Sequence, residues 1–320
     1  MNWILFDNSR NEYSFISQLW GDKNIREVYS SIYSKKIITW VMGASKVLKL
    51  SRKDDTIICW FDFQAVLVYW LSLMTFRPRN IVCINVMLKD KETLRNRVVG
   101  WLYKRALASK RFKASVTSTE YGDWLNKRFG TRHQFQLIHD VFHEDYTLKE
   151  HIKEQTNAVF CGGSNGRDWK FMLSVARLLP NVTFKFVMPD YLYKFIQNEI
   201  PQNVVVHCNI PYDDFVKEMC SASIVALPLD TIAPAGLIVL FQAAANNRLV
   251  MTTNTVTTRE YINPERGVLL KNDAQQWASS IKHMLVHPQE RIIKSKALRE
   301  FLAIECNEQN FVNGIKQMIW

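Results

Sequence analysis

From Asn157 onward the chain alternates short β-rich apolar runs with amphipathic stretches of about ten residues, joined by short connections. AVFCGG (158–163), VTFKFVM, VVVHC, SIVALPL, RLVMTT and GVLLK read as strands. WKFMLSVARLL, DYLYKFIQNEI, DDFVKEMCSA, GLIVLFQAAANN and AQQWASSIKHML read as the helices between or after them. Strands separated by helices of that length build βαβ units, whose right-handed crossovers give a parallel, doubly wound sheet. The first half is less regular but similar in kind, with NWILFD, TIICWFD, NIVCINV, ASVTSTE and FQLIHDV as strands.

A chain of 320 residues is comfortable as two domains with a core each. The charged segment HEDYTLKEHIKEQTN (143–157) marks the boundary, giving a domain over 1–150 and another over 151–320 that ends in helices after Pro288. The six cysteines are widely spaced, form no CxxC cluster and read as buried reduced thiols. MNWILFDNSRNEY lacks the basic start of a signal peptide, so a cytoplasmic location is expected. The longest apolar run, Phe63 to Phe76, is shorter than the roughly twenty residues of a spanning helix and reads as a buried one.

The net charge of +11 calls for an anionic partner: nucleic acid, an anionic membrane or a phosphorylated small molecule. The basic residues concentrate between Lys91 and Ser115, where Arg97, Lys104, Arg105, Lys110 and Arg111 interleave with Leu94, Val98, Trp101 and Leu102. At helical spacing these apolar residues share a face, which suits either a membrane interface with Trp101 among the headgroups or a core-facing helix with a solvated basic side. No helix-turn-helix or RNA-binding aromatic pair accompanies the charge, so nucleic acid is not expected.

In a doubly wound sheet, ligands lie beyond the carboxyl ends of the strands, and phosphates meet the N-termini of the following helices. Two strand ends suit this use. CGGSNGRDW (161–169) is a glycine-rich turn in which Gly163, Ser164, Asn165 and the forked cation Arg167 could approach a phosphate. Thr231 to Gly236 precedes the helix GLIVLFQAAANN. Neither turn is a dinucleotide fingerprint or a Walker loop, and an ordinary tight connection is the alternative reading of each. In the first half, strand-end position puts Asp62 and Lys89 in the ligand region, with Asp7 behind them and His139 in packing.

The run from Ala158 to about His287 resembles the nucleotide-sugar-binding half of GT-B-fold glycosyltransferases, especially the large retaining family 4. The resemblance rests on CGGSNGRDW, VTFKFVM, VVVHCNIPYDDFVKEMCSASIVALPL and AGLIVLFQAAANNRLVMTT followed by TTREYI. It implies two Rossmann-like domains facing a cleft, with the acceptor held by the first. It also implies donor contacts from Gly163, Ser164, Asn165, Arg167, Asn209, Thr231, Ala235, Gly236, Leu237 and Gln242. The family reads EGFGLxxLEAMA in its last donor-binding helix, and Gln242 takes the place of the Glu that holds the ribose. The earlier Glu is replaced by Ala233 or Pro234, and the diphosphate-binding Arg and Lys are matched by Arg167 and Lys170. WFDFQA (60–65) and SVTSTEYGDWLNKRFG resemble the acceptor domain more loosely, and INVMLKD lacks the family's His, so no base carries over there.

The expected function is transfer of a sugar from a UDP- or GDP-sugar to a glycan or lipid-linked acceptor, in synthesis of a bacterial surface polysaccharide or glycoconjugate. Asp62 and Lys89 are the candidate catalytic residues. The resemblance implies retention of anomeric configuration and no cofactor or metal, since helix N-termini and Arg can bear the leaving diphosphate. Arg97, Trp101, Lys104, Arg105, Lys110 and Arg111 would meet the acceptor or the inner face of the membrane. The alternatives are a GT-B epimerase or phosphorylase, and a non-catalytic GT-B module or partner subunit of another glycosyltransferase, which the missing Glu residues favour.

Overall fold

The computed structural model describes residues 1–6, 14–21, 25–31, 35–89 and 94–319. It divides into two compact units, Met1–Val141 with Asn307–Trp320, and Phe142–Cys306. The first unit begins β1 (Asn2–Phe6), α1 (Ser14–Trp20), β2 (Ile25–Tyr29), α2 (Lys36–Leu50), β3 (Thr56–Cys59) and α3 (Asp62–Met74). It continues β4 (Asn80–Cys83), α4 (Leu94–Leu107), β5 (Phe112–Val116), α5 (Thr119–Phe129) and β6 (Gln136–Leu137). All six strands are parallel in the order β2-β1-β3-β4-β5-β6. The central strands are buried along their length, as a sheet covered on both faces requires. Asp7 and the start of the basic segment, 91–93, lie outside the described residues.

The second unit runs β7 (Gln155–Gly162), α6 (Trp169–Arg177), β8 (Thr183–Met188), α7 (Asp190–Tyr193), β9 (Val204–Cys208) and α8 (Tyr212–Cys220). Then follow β10 (Ala222–Leu227), α9 (Leu237–Ala245), β11 (Leu249–Thr253), α10 (Thr258–Tyr261), β12 (Val268–Leu270), α11 (Ala274–Val286) and α12 (Pro288–Glu305). Its six parallel strands are ordered β12-β11-β10-β7-β8-β9, so the direction of winding reverses between β7 and β10. Each face has its own core. Trp169, Phe184, Phe186 and Trp277 fill one, and Phe160, Phe241, Tyr261 and Leu298 fill the other.

The chain passes between units at 141/142, ahead of the charged segment that marks a boundary in the sequence. The reason is apolar: Phe142, Tyr146, Leu148 and Ile152 pack on the second unit's core. The passage back is at 306/307, and α13 (Glu308–Gln317) returns to the first unit, where Phe311, Val312 and Ile315 complete a core with Phe15 and Trp20. The segment DYLYKFIQNEI is a single turn, α7, followed by a short 3-10 turn at Gln197–Glu199, instead of one helix. All six cysteines are free thiols, five of them buried.

Buried charge in the second unit is mostly matched. Lys185 on β8 bonds Glu218 at 3.0 Å and Ser221 at 2.8 Å. Glu154 receives Ser223, Arg248 and Arg291, and although burial pushes its carboxyl up, these partners outweigh that and hold it below the usual range. Arg167 is the exception.

Candidate active site

Arg167 sits in the loop after β7, 7% exposed, at the point where the strand order reverses. The two loops that flank this switch point are joined to each other. Asp168 N–H donates to Pro228 O at 3.0 Å and Asp230 N–H to Gly166 O at 3.0 Å, forming a small antiparallel bridge between Arg167 and Leu229. Gly166 permits the approach: its φ is +67°, and a Cβ there would lie 2.6 Å from Thr231 Cγ2.

The guanidinium of Arg167 is held from behind. Nε donates to Gly162 O at 2.9 Å and Nη1 to Asn165 O at 3.2 Å. Its outer edge lies against the N-terminus of α9, where Gly236, at φ +77°, is the N-cap and offers no side chain to the first-turn N–H groups. A Cβ on Gly236 would come within 2.8 Å of Nη1 and 2.9 Å of Nη2. Among the described residues no carboxylate pairs with Arg167, and burial alone pushes its pKa down. A desolvated cation and the positive end of a helix therefore converge without a protein anion between them, an arrangement that favours a bound anion.

The loop after β10 is fixed by side chains that sequence reasoning passed over. Thr253 Oγ1 accepts Leu229 N–H at 2.7 Å and donates to Asn272 Oδ1 at 2.7 Å, while Asn272 Nδ2 donates to Leu229 O at 3.0 Å. Thr257 Oγ1 donates to Ile232 O at 2.8 Å. The available signal was the Thr cluster MTTNTVTT, which reads first as β-propensity. Asp230 is a second omission, an exposed carboxylate 3.8 Å from the position of a Gly166 Cβ.

The other residues expected on the donor side separate into surface and buried groups. Ser164, Asn165 and Asn209 are exposed, and Gly163 is half-buried with its α-carbon against the Arg167 guanidinium. Asn209 is left-handed at φ +51° and its Oδ1 accepts Asp190 N–H at 3.3 Å. Thr231, Ala235 and Leu237 are buried, and Thr231 Oγ1 accepts Ala233 N–H at 3.2 Å. Gln242 is 2% exposed on α9; its Nε2 donates to Tyr212 Oη at 3.1 Å and its buried Oε1 has no protein partner. Lys170 does not join Arg167, but pairs with Glu199 on the surface at 3.0 Å.

In the first unit Asp62, the catalytic candidate by strand-end position, is tied into the local backbone. It is 7% exposed at the start of α3, where Oδ2 accepts Met87 N–H at 2.8 Å, Oδ1 accepts Phe63 N–H at 2.7 Å, and Tyr103 adds a side-chain hydrogen bond. Burial pushes its pKa up against these bonds. Lys89 is exposed, and its carbonyl accepts Arg128 Nη1 at 2.9 Å.

The buried side of the basic helix α4 is not the face of Val98, Trp101 and Leu102 that its sequence spacing suggests. Tyr103, Ala106 and Leu107 are buried, while Arg97, Val98, Trp101, Lys104 and Arg105 are exposed. Trp101 stacks on Trp70 of α3 with centroids 5.5 Å apart, and Arg105 lies 5.8 Å over the Trp101 ring. Lys110 is exposed, but Arg111 is committed to Asp54 at 2.8 Å and to Asn80. The end of α3 exposes Leu73, Met74 and, at 92%, Phe76. No described helix is long and apolar enough to cross a membrane, and no group of three or more His, Cys, Asp or Glu among the described residues could hold a metal ion.

No protein-family model matches the chain, and no curated protein sequence is significantly similar to it. Solved structures are similar in fold. Anabaena Alr3699/HepE in complex with UDP and glucose superposes with a TM-score of 0.71 at 13% identity, over 99% of this chain and 98% of that one. Sucrose-phosphate synthase from Thermosynechococcus elongatus gives 0.73 at 12% identity, over 99% and 97%. WaaG, a glycosyltransferase involved in lipopolysaccharide biosynthesis, gives 0.64 at 14%, over 99% and 98%. The chain has the GT-B fold that these structures share.

Proposed function

We propose that the protein is a nucleotide-sugar-dependent glycosyltransferase whose donor diphosphate lies between Arg167 and the N-terminus of α9. The observation that carries this reading is the buried guanidinium without a carboxylate, set against an uncapped helix start at the sheet's switch point. HepE has been solved with UDP-glucose, which makes a UDP-sugar the first donor to test.

In this reading the bond between the anomeric carbon and the diphosphate breaks as the acceptor oxygen attacks, and the acceptor proton passes to a base. Negative charge grows on the leaving diphosphate, and Arg167 and the first-turn N–H groups of α9 meet it without reorganising. That role needs no metal. Gln242, with Nε2 already on Tyr212, keeps a buried Oε1 acceptor without a protein partner, and in this reading that oxygen takes a ribose hydroxyl. The acceptor is a glycan or a lipid-linked sugar, and the exposed Trp101, Val98, Met74 and Phe76 with Arg97, Lys104, Arg105 and Lys110 form a face that suits an anionic membrane surface. Retention of configuration and a cytoplasmic, membrane-peripheral setting belong to the same proposal.

A non-catalytic GT-B module has one specific observation in its favour, the buried Ala233 and Pro234 where the pattern of the resembled family would place a carboxylate. Calorimetry with UDP, GDP and their sugars, followed by assay for donor turnover with EDTA present, separates the two. Binding with turnover is expected. Gln242→Glu should keep nucleotide affinity and Gln242→Leu should lower it; binding without turnover on any acceptor would leave a module, and no binding would remove the proposal.

A further inference from the structure

The first unit holds a cavity of about 750 Å³ that lies away from the strand ends just described. It opens where α4 and α5 finish and β5 begins, which is the amino-terminal edge of the sheet. Lys104, Arg105, Lys110, Lys113 and Arg132 line it with His133, and no Asp or Glu does. The C-terminal carbonyls of two helices supply about half a negative charge each. Five cations therefore outweigh them by a wide margin.

One wall is built in advance. Asn126 Oδ1 accepts His133 N–H at 2.9 Å and Thr131 Oγ1–H at 2.8 Å, and Asn126 Nδ2 donates to His133 O at 2.9 Å. The His133 ring is pinned by Nδ1 against Leu107 O at 2.8 Å, which leaves Nε2 buried with no protein partner. A cavity of this size is in the range that encloses a small ligand.

We infer that this cavity binds a phosphate-bearing anion, at a site separate from the donor site. Two sources supply that chemistry: a free oligophosphate, or a phospholipid headgroup reached from the apolar Met74 and Phe76, which the end of α3 exposes at the same edge of the sheet. Multivalent contact explains why the basic residues gather here, since each charge-assisted bond adds both attraction and salt sensitivity.

The test uses the full chain with two probes, inorganic tripolyphosphate by calorimetry and phosphatidylcholine vesicles containing phosphatidic acid by sedimentation. The variants are Arg167→Met, which removes the proposed donor-site cation, and Lys110→Gln with Arg132→Gln added to it. Loss of the remaining tripolyphosphate affinity by tenfold or more when the double substitution is added to Arg167→Met, with the melting temperature unchanged, supports the site with a free ligand. The same loss confined to vesicles supports it with a lipid headgroup. Binding of neither probe by the Arg167→Met chain, or equal binding with and without the double substitution, overturns it.

Discussion

Replacing Arg167 with Met separates a binding cation from a structural one, because the two roles move stability and affinity in different directions. The substitution keeps an unbranched chain of similar reach between Gly163 and Gly236 and removes the charge. Without ligand, the fold loses the bonds to Gly162 O and Asn165 O, of which the latter belongs to an exposed residue and regains water. Orphaning the other costs about 1–3 kcal/mol. Against this, the fold no longer desolvates an unpaired guanidinium, which costs several kcal/mol. These terms oppose, so stability without ligand should stay within about 2 kcal/mol of the parent. Binding has no such offset: loss of charge-assisted bonds to the diphosphate removes about 1.5–3 kcal/mol, which is roughly ten- to 150-fold in Kd. Urea unfolding and calorimetry with UDP measure the two quantities. A variant that binds UDP as tightly as the parent, but unfolds several kcal/mol more easily, would show Arg167 to be a structural tie and refute the argument.

Gly236→Ala should weaken UDP binding even though the side chain is small, because Ala at φ +77° is strained by about 1 kcal/mol and its Cβ displaces the Arg167 guanidinium; UDP titration checks it. Asp62→Ala should destabilise the protein by about 3 kcal/mol or more, since it leaves the N–H groups of Met87 and Phe63 and the Tyr103 hydroxyl without their acceptor. Denaturant unfolding reads that loss, and a stable variant with greatly reduced turnover would instead return Asp62 to catalysis. Glu154 is held ionised by Arg248, Arg291 and Ser223, so its contribution is present above the unfolded carboxylate pKa of about 4.3 and is lost as pH falls through the lower folded value. Glu154→Gln should therefore lower stability at pH 7 and flatten its decline below about pH 5, measured by unfolding across pH.

The parallel sheets were legible because buried strands leave near-continuous apolar runs, as in IVAL of β10 and LVM of β11. Strand β2 was not, since IREVY lies at the sheet edge with Arg26 exposed and only Val28 fully buried. Of the site, the turn 162–168 and the start of α9 were readable from their glycines. What one sequence could not reveal is which polar side chains are already spoken for. Lys170 and Arg111 look as available as Arg167 in the sequence, yet each has a carboxylate partner distant along the chain, Glu199 and Asp54. Asp62 reads as a strand-end carboxylate, and the sequence does not show that the Met87 N–H bonds its Oδ2.

The return of α13 to the first unit has a consequence for synthesis on the ribosome. Residues 142–306 must all be made between the sheet of the first unit and the helix whose Phe311, Val312 and Ile315 finish its core. At 5–20 residues per second, that interval is roughly ten to thirty seconds. During it the nascent first unit presents Phe15, Ile16, Trp20 and Ile138 without their final cover, while the second unit has every residue of its own core in hand as soon as Cys306 emerges. The domain translated first is thus the last to be completed, and a chain released early would expose that apolar seam to chaperones and proteases.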